Sequence, residues 1–369
     1  MIEEFKKYRL GRHQAAATWK EQNEGKVLGT FCCCVPEEII HAAGMLPVRI
    51  MGEHEETTEA NLHFPTNLCP YCKSCFDQAL KGRYDYLDGL VIPNVCNMIK
   101  TMYGFSKHLL KIPYIHFLDV PQRMSNNGVE FFTEELLRFK ESLEDFSGKQ
   151  ISNEAIRHSI AVYNENRTLL SQAYELRKKP TPLISGSEAQ EIVISSMLMP
   201  KEEHNRQLAQ LLQQIENRND SPEQGVRLFV SASILDSTDF LQLIEECGGN
   251  VVADDMPMGS RYFSGSVDLS DDPLHALADR YLNKIACPRK MLPDARLAFV
   301  TNMMKEADVK GVIIHNMRAC DPHLYEYPLM KEKITSEGLP VLFFRGVETE
   351  GEQEQQRADI ETFIEMLKG

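Results

Sequence analysis

The feature that most constrains the fold is the alternation of apolar segments with amphipathic ones, which is interrupted once in the middle of the chain. Short, near-continuous apolar runs are typical of strands that are buried on both faces of a parallel sheet, and helices connect such strands. Runs of this kind lie at residues 26–34, 46–51, 87–93 and 112–119, and again at 226–232, 250–253, 311–315 and 339–344. The sequence therefore predicts an α/β protein with two doubly wound parallel-sheet domains.

The interruption between the two sets of strands is a helical region. From about residue 129 to residue 215, apolar residues recur at helical spacing and strand signals nearly vanish. The polar stretch at 217–225 then marks a boundary. Three parts are expected, and each is long enough to bury a core of its own. They are an N-terminal α/β domain over 1–125, a helical region over 126–222 and a C-terminal α/β domain over 223–369.

The charge balance limits the partners of the chain. Its 40 Lys and Arg against 54 Asp and Glu give a formal net charge of −14. A nucleic-acid groove or an anionic membrane surface needs a positive footprint, so neither is expected as the main partner. No apolar run approaches the roughly 20 residues that cross a bilayer, and the first residues lack the apolar core of a signal peptide. We therefore expect a cytoplasmic protein.

The ten cysteines are the chemically distinctive part of the composition. Cytoplasmic thiols stay reduced, so disulfides are not expected, and the alternative for most of them is a small buried hydrophobic residue. Ligands of a doubly wound sheet bind beyond the carboxyl ends of its strands. Cys96 and Cys320 follow predicted strands, and Cys69 precedes a predicted helix. Thiolates that converge from separate units in this way would hold an iron–sulfur cluster and leave one iron open.

A local metal site is the alternative to this trio. Cys69, Cys72 and Cys75 have the spacing C-x2-C-x2-C, with which a bacterial ferredoxin motif begins, but the fourth cysteine of that motif is missing. Zinc would also need a fourth ligand, and His63 is the nearest candidate. If residues 72–80 are helical, Cys72 and Cys75 face the same side and line the cluster cavity without binding the cluster.

Two further groups follow the first predicted strand. The residues at 32–34 are predicted to end that strand, where neighbouring side chains point to opposite faces and three sulfurs cannot bind one metal. Glu37 and His41 lie one turn apart on the next predicted helix. They are either an acid/base pair or ordinary residues of a helix whose first turn favours acids.

The C-terminal part offers two other candidates. Arg261 follows Asp254 and Asp255, so it would either bind a phosphate or carboxylate or pair with these two acids. Cys287 would be either a reactive thiol or a core residue, and we expect a core residue. No Walker A motif is present, and no G-x-G-x-x-G follows a strand, so the chain carries no nucleotide signature.

Several longer segments carry a resemblance to a known family. They are VPEEIIHAAGMLPVRI (35–50), NLCPYCKSCFDQALKGRYDYLDGLVIPNVC (67–96), SIAVYNENR (159–167), DPLHALADRYL (272–282) and CDPHLYEYPLMKE (320–332). In these segments the chain resembles the iron–sulfur subunits of 2-hydroxyacyl-CoA dehydratases and benzoyl-CoA reductases, over nearly its whole length. Cys69, Cys96 and Cys320 match the three positions that bind a [4Fe-4S] cluster in such subunits.

The resemblance implies an oxygen-sensitive enzyme that acts on acyl-CoA or aryl-CoA thioesters together with a related second subunit. A separate ATP-hydrolysing iron–sulfur activator would deliver the electron that turns the thioester carbonyl into a ketyl radical. The segment at 35–50 and the residues around Cys287 favour a benzoyl-CoA reductase-type subunit, which reduces an aromatic ring. Dehydration of a 2-hydroxyacyl-CoA and a non-catalytic electron-transfer role are the alternatives, as is a double-cubane cluster in place of a single [4Fe-4S] cluster.

Overall fold

The computed structural model describes residues 2–53, 55–65, 67–218, 222–269, 272–284, 287–290, 293–346 and 350–369. It contains two four-stranded parallel sheets. The first has the order β2-β1-β3-β4 and is built from β1 (Val27–Thr30), β2 (Leu46–Arg49), β3 (Gly89–Pro93) and β4 (Tyr114–Leu118). The second has the order β6-β5-β7-β8 and is built from β5 (Val226–Ala232), β6 (Gly249–Asp255), β7 (Gly311–Asn316) and β8 (Val341–Arg345). The predicted fold class is confirmed.

Helices connect and flank the strands. In the N-terminal part they are α1 (Ile2–Leu10), α2 (Arg12–Asn23), α3 (Glu37–Ala42), α4 (Pro70–Leu80) and α5 (Asn97–Leu109). Between the sheets they are α6 (Asn126–Ser147), α7 (Asn153–Lys178), α8 (Gly186–Ser196) and α9 (Lys201–Gln214). In the C-terminal part they are α10 (Asp239–Glu246), α11 (Ser260–Phe263), α12 (Pro273–Asn283), α13 (Pro293–Glu306), α14 (Asp321–Ser336) and α15 (Glu350–Lys368). Within the described ranges, no helix has the length and apolar character that a membrane span needs.

The second sheet explains why the sequences of its strands are continuous apolar runs. Neighbouring residues of a strand point to opposite faces. Val230 and Ile313 pack into the core on one face, whereas Phe229 and Val312 pack into the core on the other. Both faces are covered by helices, so both sets of side chains must be apolar.

The first sheet shares its core with the helices that follow it. Buried residues of α6 to α9 pack in the same apolar cluster as the strands, and α12 joins this cluster by packing against α6. The helix α12 thus contacts the first part of the chain although it belongs to the C-terminal part by sequence. The division at residues 125 and 222 stays a prediction.

The strand order of each sheet reverses direction at its centre. The chain passes from β1 outward to β2 and then back across β1 to β3, and it does the same at β5, β6 and β7. Loops diverge at such a point and leave a crevice in which ligands bind. Two non-glycine residues with positive φ, Cys32 and Ala319, lie in the loops after β1 and β7, each with φ 61°. Strain of this kind costs on the order of 1–3 kcal/mol and clusters at functional sites.

Buried hydrogen bonds join the two halves of the chain. The carboxylate of Asp236, in the loop after β5, accepts a hydrogen bond from the backbone N–H of Gly52 at 3.1 Å. The hydroxyl of Tyr262 donates to Oε2 of Glu37 at 2.7 Å. These contacts join the segments that follow β1 and β2 to the segments that follow β5 and β6.

Candidate functional site

The three cysteines of the predicted trio line a single cavity. Cys69, Cys96 and Cys320 come from three different elements and two different sheets, yet all three border a space of about 610 Å³. Cys96 follows β3 and Cys320 follows β7. Each of these strands lies beside the first strand of its sheet, at the point where the strand order reverses. The volume lies in the range of roughly 300–1,000 Å³ that is typical of small-molecule sites.

Each of these cysteines is also the N-cap residue of a helix. Cys69 precedes α4, Cys96 precedes α5 and Cys320 precedes α14. The first turn of a helix has free N–H groups and a partial positive charge, both of which stabilise a thiolate or an anionic cluster. At α5 this is a direct contact, since Sγ of Cys96 accepts a hydrogen bond from the N–H of Ile99 at 3.5 Å.

The three free thiols differ in acidity. A hydrogen bond from the thiol of Cys72 lowers the pKa of Cys69 to about 7. Burial raises the pKa of Cys96 to about 11 and the pKa of Cys320 to about 12. Metal ligands bind as thiolates, so loading of this site with iron would release protons from the latter two residues.

The donor atoms of the trio do not meet around one point. Among the side chains that the structure describes, only those of Cys32, Cys33 and Cys34 bring three metal-binding donor atoms within 4.8 Å of one another. The trio around the cavity is therefore spaced more widely than the ligands of one ion. The irons of a cubane cluster occupy separate corners, so its protein ligands stand apart. Three thiolates are the ligand number of a cluster that has one iron without a protein ligand.

Several polar residues that also line the cavity were not predicted from the sequence, among them Gln122, Arg289, Lys290 and Glu326. Arg289 and Lys290 are buried. Burial raises the pKa of Glu326, although its carboxylate accepts a hydrogen bond from Nε of Arg296 at 2.7 Å. Two cations and one carboxyl group with raised pKa thus border the space next to the cysteines.

A comparison with known proteins identifies the family of the chain. The family model described as "2-hydroxyglutaryl-CoA dehydratase, D-component" matches residues 32–367. The chain belongs to this family. The family resemblance expected from the sequence is confirmed.

Relatives in this family match the chain along nearly its full length. The (R)-phenyllactyl-CoA dehydratase beta subunit of Clostridium sporogenes is 30% identical over 100% of this chain and 96% of its own. A benzoyl-CoA reductase subunit of Thauera aromatica is 28% identical over 96% of this chain and 94% of its own. The beta subunit of (R)-2-hydroxyglutaryl-CoA dehydratase of Acidaminococcus fermentans is 27% identical over 100% of this chain and 99% of its own. All three are enzyme subunits, so the prediction of an enzyme subunit is confirmed at the level of the family.

In this member of the family, Cys72 and Cys75 are core residues. Each is 1% exposed and packs with the first sheet, and neither is among the described residues that line the cavity. The prediction that they line it is wrong, because α4 turns this face towards the sheet while its N-terminus alone meets the cavity. The local zinc alternative also finds no support, since Cys69, Cys72 and Cys75 are not grouped around one point and His63 is exposed.

The prediction for residues 32–34 is also wrong. The strand β1 ends at Thr30, and Cys32 adopts a left-handed conformation. The side chains of Cys32, Cys33 and Cys34 therefore do not alternate across a strand, and their sulfurs lie within 4.8 Å of one another. The residues form a second group of thiols, which we call the three-cysteine turn.

Glu37 and His41 do not form an acid/base pair. Glu37 is buried and accepts a hydrogen bond from Tyr262 at 2.7 Å. The ring of His41 instead contacts Oγ of Ser159 at 2.9 Å and Oε1 of Glu202 at 3.0 Å. The two residues have separate partners on the elements that pack against α3. This supports the interpretation that they are ordinary residues of the helix.

Arg261 pairs with the neighbouring acids, as the second of its two interpretations predicts. Its Nε lies 2.5 Å from Oδ1 of Asp255, and Nη2 of Arg296 lies 2.5 Å from Oδ2 of the same carboxylate. Nη2 of Arg177 lies 2.6 Å from Oδ2 of Asp254. Because these pairs are buried and occupied, Arg261 does not serve as a site for a phosphate.

Cys287 differs from the expected core residue. It is half-buried and lies outside the apolar clusters of the described residues. Its thiol is close enough to Arg261 and Cys34 to interact with them electrostatically, and burial raises its pKa. Cys287 thus lies near the three-cysteine turn and is followed in the chain by residues that line the cavity.

Proposed function

We propose that the chain is the iron–sulfur subunit of an acyl-CoA enzyme, in which Cys69, Cys96 and Cys320 hold a [4Fe-4S] cluster and leave one iron facing the cavity. The observation that carries the proposal is the convergence of three helix N-caps, from both sheets, on one cavity. Full-length similarity to subunits of acyl-CoA enzymes supports it. A single cluster is the simplest occupant of three ligands; a double-cubane cluster remains the alternative.

When bound, the cluster would supply one-electron chemistry to the thioester of the substrate. Residues of the chain give the cavity the electrostatic properties that this chemistry needs. The helix N-termini and the buried cations Arg289 and Lys290 create a positive potential, which stabilises negative charge that develops on a bound thioester. Glu326, whose pKa is raised by burial, would hold a proton at its carboxyl oxygen and exchange it with the substrate.

For the reaction, we put dehydration of a 2-hydroxyacyl-CoA to an enoyl-CoA first. The description of the family model and the names of two of the relatives above support it. Reduction of an aromatic ring, which the sequence favoured, is the second candidate, supported by the 28% identity with the benzoyl-CoA reductase subunit of Thauera aromatica. The comparisons give the reductase no preference over the dehydratases.

A related second subunit and an ATP-hydrolysing iron–sulfur activator complete the proposed system. The chain itself carries no nucleotide signature in its sequence, so ATP hydrolysis belongs to another protein in this account. A non-catalytic electron-transfer role is less well supported. An electron carrier needs no substrate space, whereas the three cysteines border about 610 Å³.

The test begins with anaerobic purification, iron and sulfide analysis, and EPR of the reduced protein. We expect about four irons and four sulfides per chain. A 2-hydroxyacyl-CoA or benzoyl-CoA is then added, and the substrate of the enzyme should change the EPR signal by binding near the open iron. A signal that neither thioester changes would favour electron transfer, twice the iron would indicate a double cubane, and zinc without sulfide would contradict the proposal.

A further inference from the structure

The three-cysteine turn has the geometry of a site for one metal ion. Its three sulfurs lie within 4.8 Å of one another, and Cys33 and Cys34 are buried while Cys32 is partly exposed. A Zn–S bond is about 2.3 Å long, so three sulfurs around one such ion are separated by about 4 Å. Only a small adjustment of the side chains is needed to reach that spacing.

Buried cations surround the turn. Lys284 donates a hydrogen bond from Nζ to the carbonyl oxygen of Cys33, and Arg289 is close enough for its charge to interact with Cys34. Lys290 is close enough for its charge to interact with Cys34. Among the described residues, no carboxylate forms an ion pair with any of these three cations. Buried charge without a counter-charge is costly, so the thiolates of the turn are the natural anions here.

Arg289 adds an independent observation. It is 8% exposed, and its Nε and Nη2 atoms are buried without a hydrogen-bond partner among the described residues. Within the part of the chain that the structure describes, its Nη1 donates only to the carbonyl oxygen of Val120, at 3.4 Å. A buried guanidinium with free donors indicates that an anionic group belongs beside it. Metal-bound thiolates retain lone pairs that accept such hydrogen bonds.

We propose that Cys32, Cys33 and Cys34 bind one thiophilic divalent cation, represented by Zn²⁺, as three thiolates. Binding releases three thiol protons and gives a group of net charge −1, which the surrounding cations offset. Zinc has no redox chemistry, so the role of the ion would be structural. It would hold the turn after β1 beside the segment 288–290, which lines the cavity. This site is separate from the proposed cluster ligands and does not depend on them.

The experiment uses the anaerobically purified holoprotein, dialysed against micromolar free Zn²⁺ and analysed for zinc and iron together. We expect about one zinc per chain, with Zn–S distances of about 2.3 Å in X-ray absorption at the zinc edge, where iron does not interfere. Cys33→Ser should weaken zinc binding by at least about 100-fold and leave the iron content unchanged. Cys247→Ser is the matched control, because Cys247 is a free thiol remote from the turn in sequence, and it should retain zinc.

Three results would overturn the proposal. They are the absence of retained zinc in the wild type, equal zinc in wild type and Cys33→Ser, and zinc that appears only as iron is lost. The last result would place the zinc on the cluster ligands. An iron content and a circular dichroism spectrum equal to those of the wild type would show that Cys33→Ser is folded. If no zinc binds, the iron content therefore still tests the proposed cluster independently.

Discussion

At the scale of single residues, several buried charges of the chain are held by opposite charges. Asp255 is the clearest case, because its buried carboxylate lies between the guanidinium groups of Arg261 and Arg296. Although burial opposes ionisation, these two cations hold the pKa of Asp255 well below its usual range. Replacing one member of such a group leaves uncompensated charge in the buried interior.

We therefore predict that Asp255→Asn lowers the free energy of unfolding by about 3–5 kcal/mol. The carboxylate has a lower pKa in the folded than in the unfolded state, so its stabilising contribution is present above about pH 4 and is lost as the pH falls below it. Chemical denaturation from pH 3 to pH 7 should show a difference between wild type and variant that is constant at the upper end and shrinks at the lower end. Asp308→Asn, in an exposed pair with Lys310, is the control and should unfold like the wild type. A difference that grows on acidification would refute the role of Asp255.

At the scale of elements, the N-termini of helices determine much of the local structure. The candidate cluster ligands occupy three N-caps, and serines occupy several others. Ser152 caps α7 by accepting a hydrogen bond from the N–H of Ala155 at 3.1 Å, and it is exposed. Ser185 caps α8 in a capping box with Glu188 and is buried, where its hydroxyl also contacts Glu245 at 3.1 Å.

The two serine caps make a matched pair of substitutions. Ser152→Ala should cost about 1 kcal/mol of stability, the usual value of an N-cap. Ser185→Ala should cost more, about 2–3 kcal/mol, because the partly buried carboxyl group of Glu245 also loses a partner. Urea denaturation midpoints measure both. Equal midpoints for the two variants would mean that the contact with Glu245 contributes nothing.

The strands and the long helices were predictable from the sequence, whereas the turns between them were not. Apolar runs reveal strands buried on both faces, and cysteines next to such runs fall at the carboxyl edge of a sheet. The positions of Cys96 and Cys320 were predictable on these grounds, and that of Cys69 because it precedes a predicted helix. Cys32 was not, because the apolar run continues beyond Thr30, and nothing in the side chains signals the left-handed backbone that ends β1. Arg289 was missed because sequence alone does not show which loops face the same cavity, although the neighbouring Cys287 was a signal.

At the scale of the whole molecule, buried polar contacts couple the two sheets. Glu37 and Glu38, on α3, accept hydrogen bonds from Tyr262 at 2.7 Å and from Tyr281 at 2.8 Å. Both glutamates are almost fully buried. Separation of the halves would leave these carboxylates without their partners, which opposes independent unfolding of either half.

We predict that the two halves unfold together. Trp19 is the single tryptophan of the chain and packs beside the core of the first sheet, so its fluorescence reports on that part. Far-UV circular dichroism reports on all helices. The urea transitions followed by the two signals should coincide. A fluorescence transition that clearly precedes or follows the dichroism transition would contradict this coupling.

The most direct test of the central claim is the iron content of single cysteine variants purified anaerobically. Cys96→Ser and Cys320→Ser should each lose most of the roughly four irons expected per chain, because each removes one of three cluster ligands. Cys72→Ser and Cys33→Ser should keep them, since these residues lie in the core and in the three-cysteine turn. If iron is lost from Cys72→Ser or Cys33→Ser while Cys96→Ser and Cys320→Ser retain it, the cluster is held elsewhere and the account is wrong.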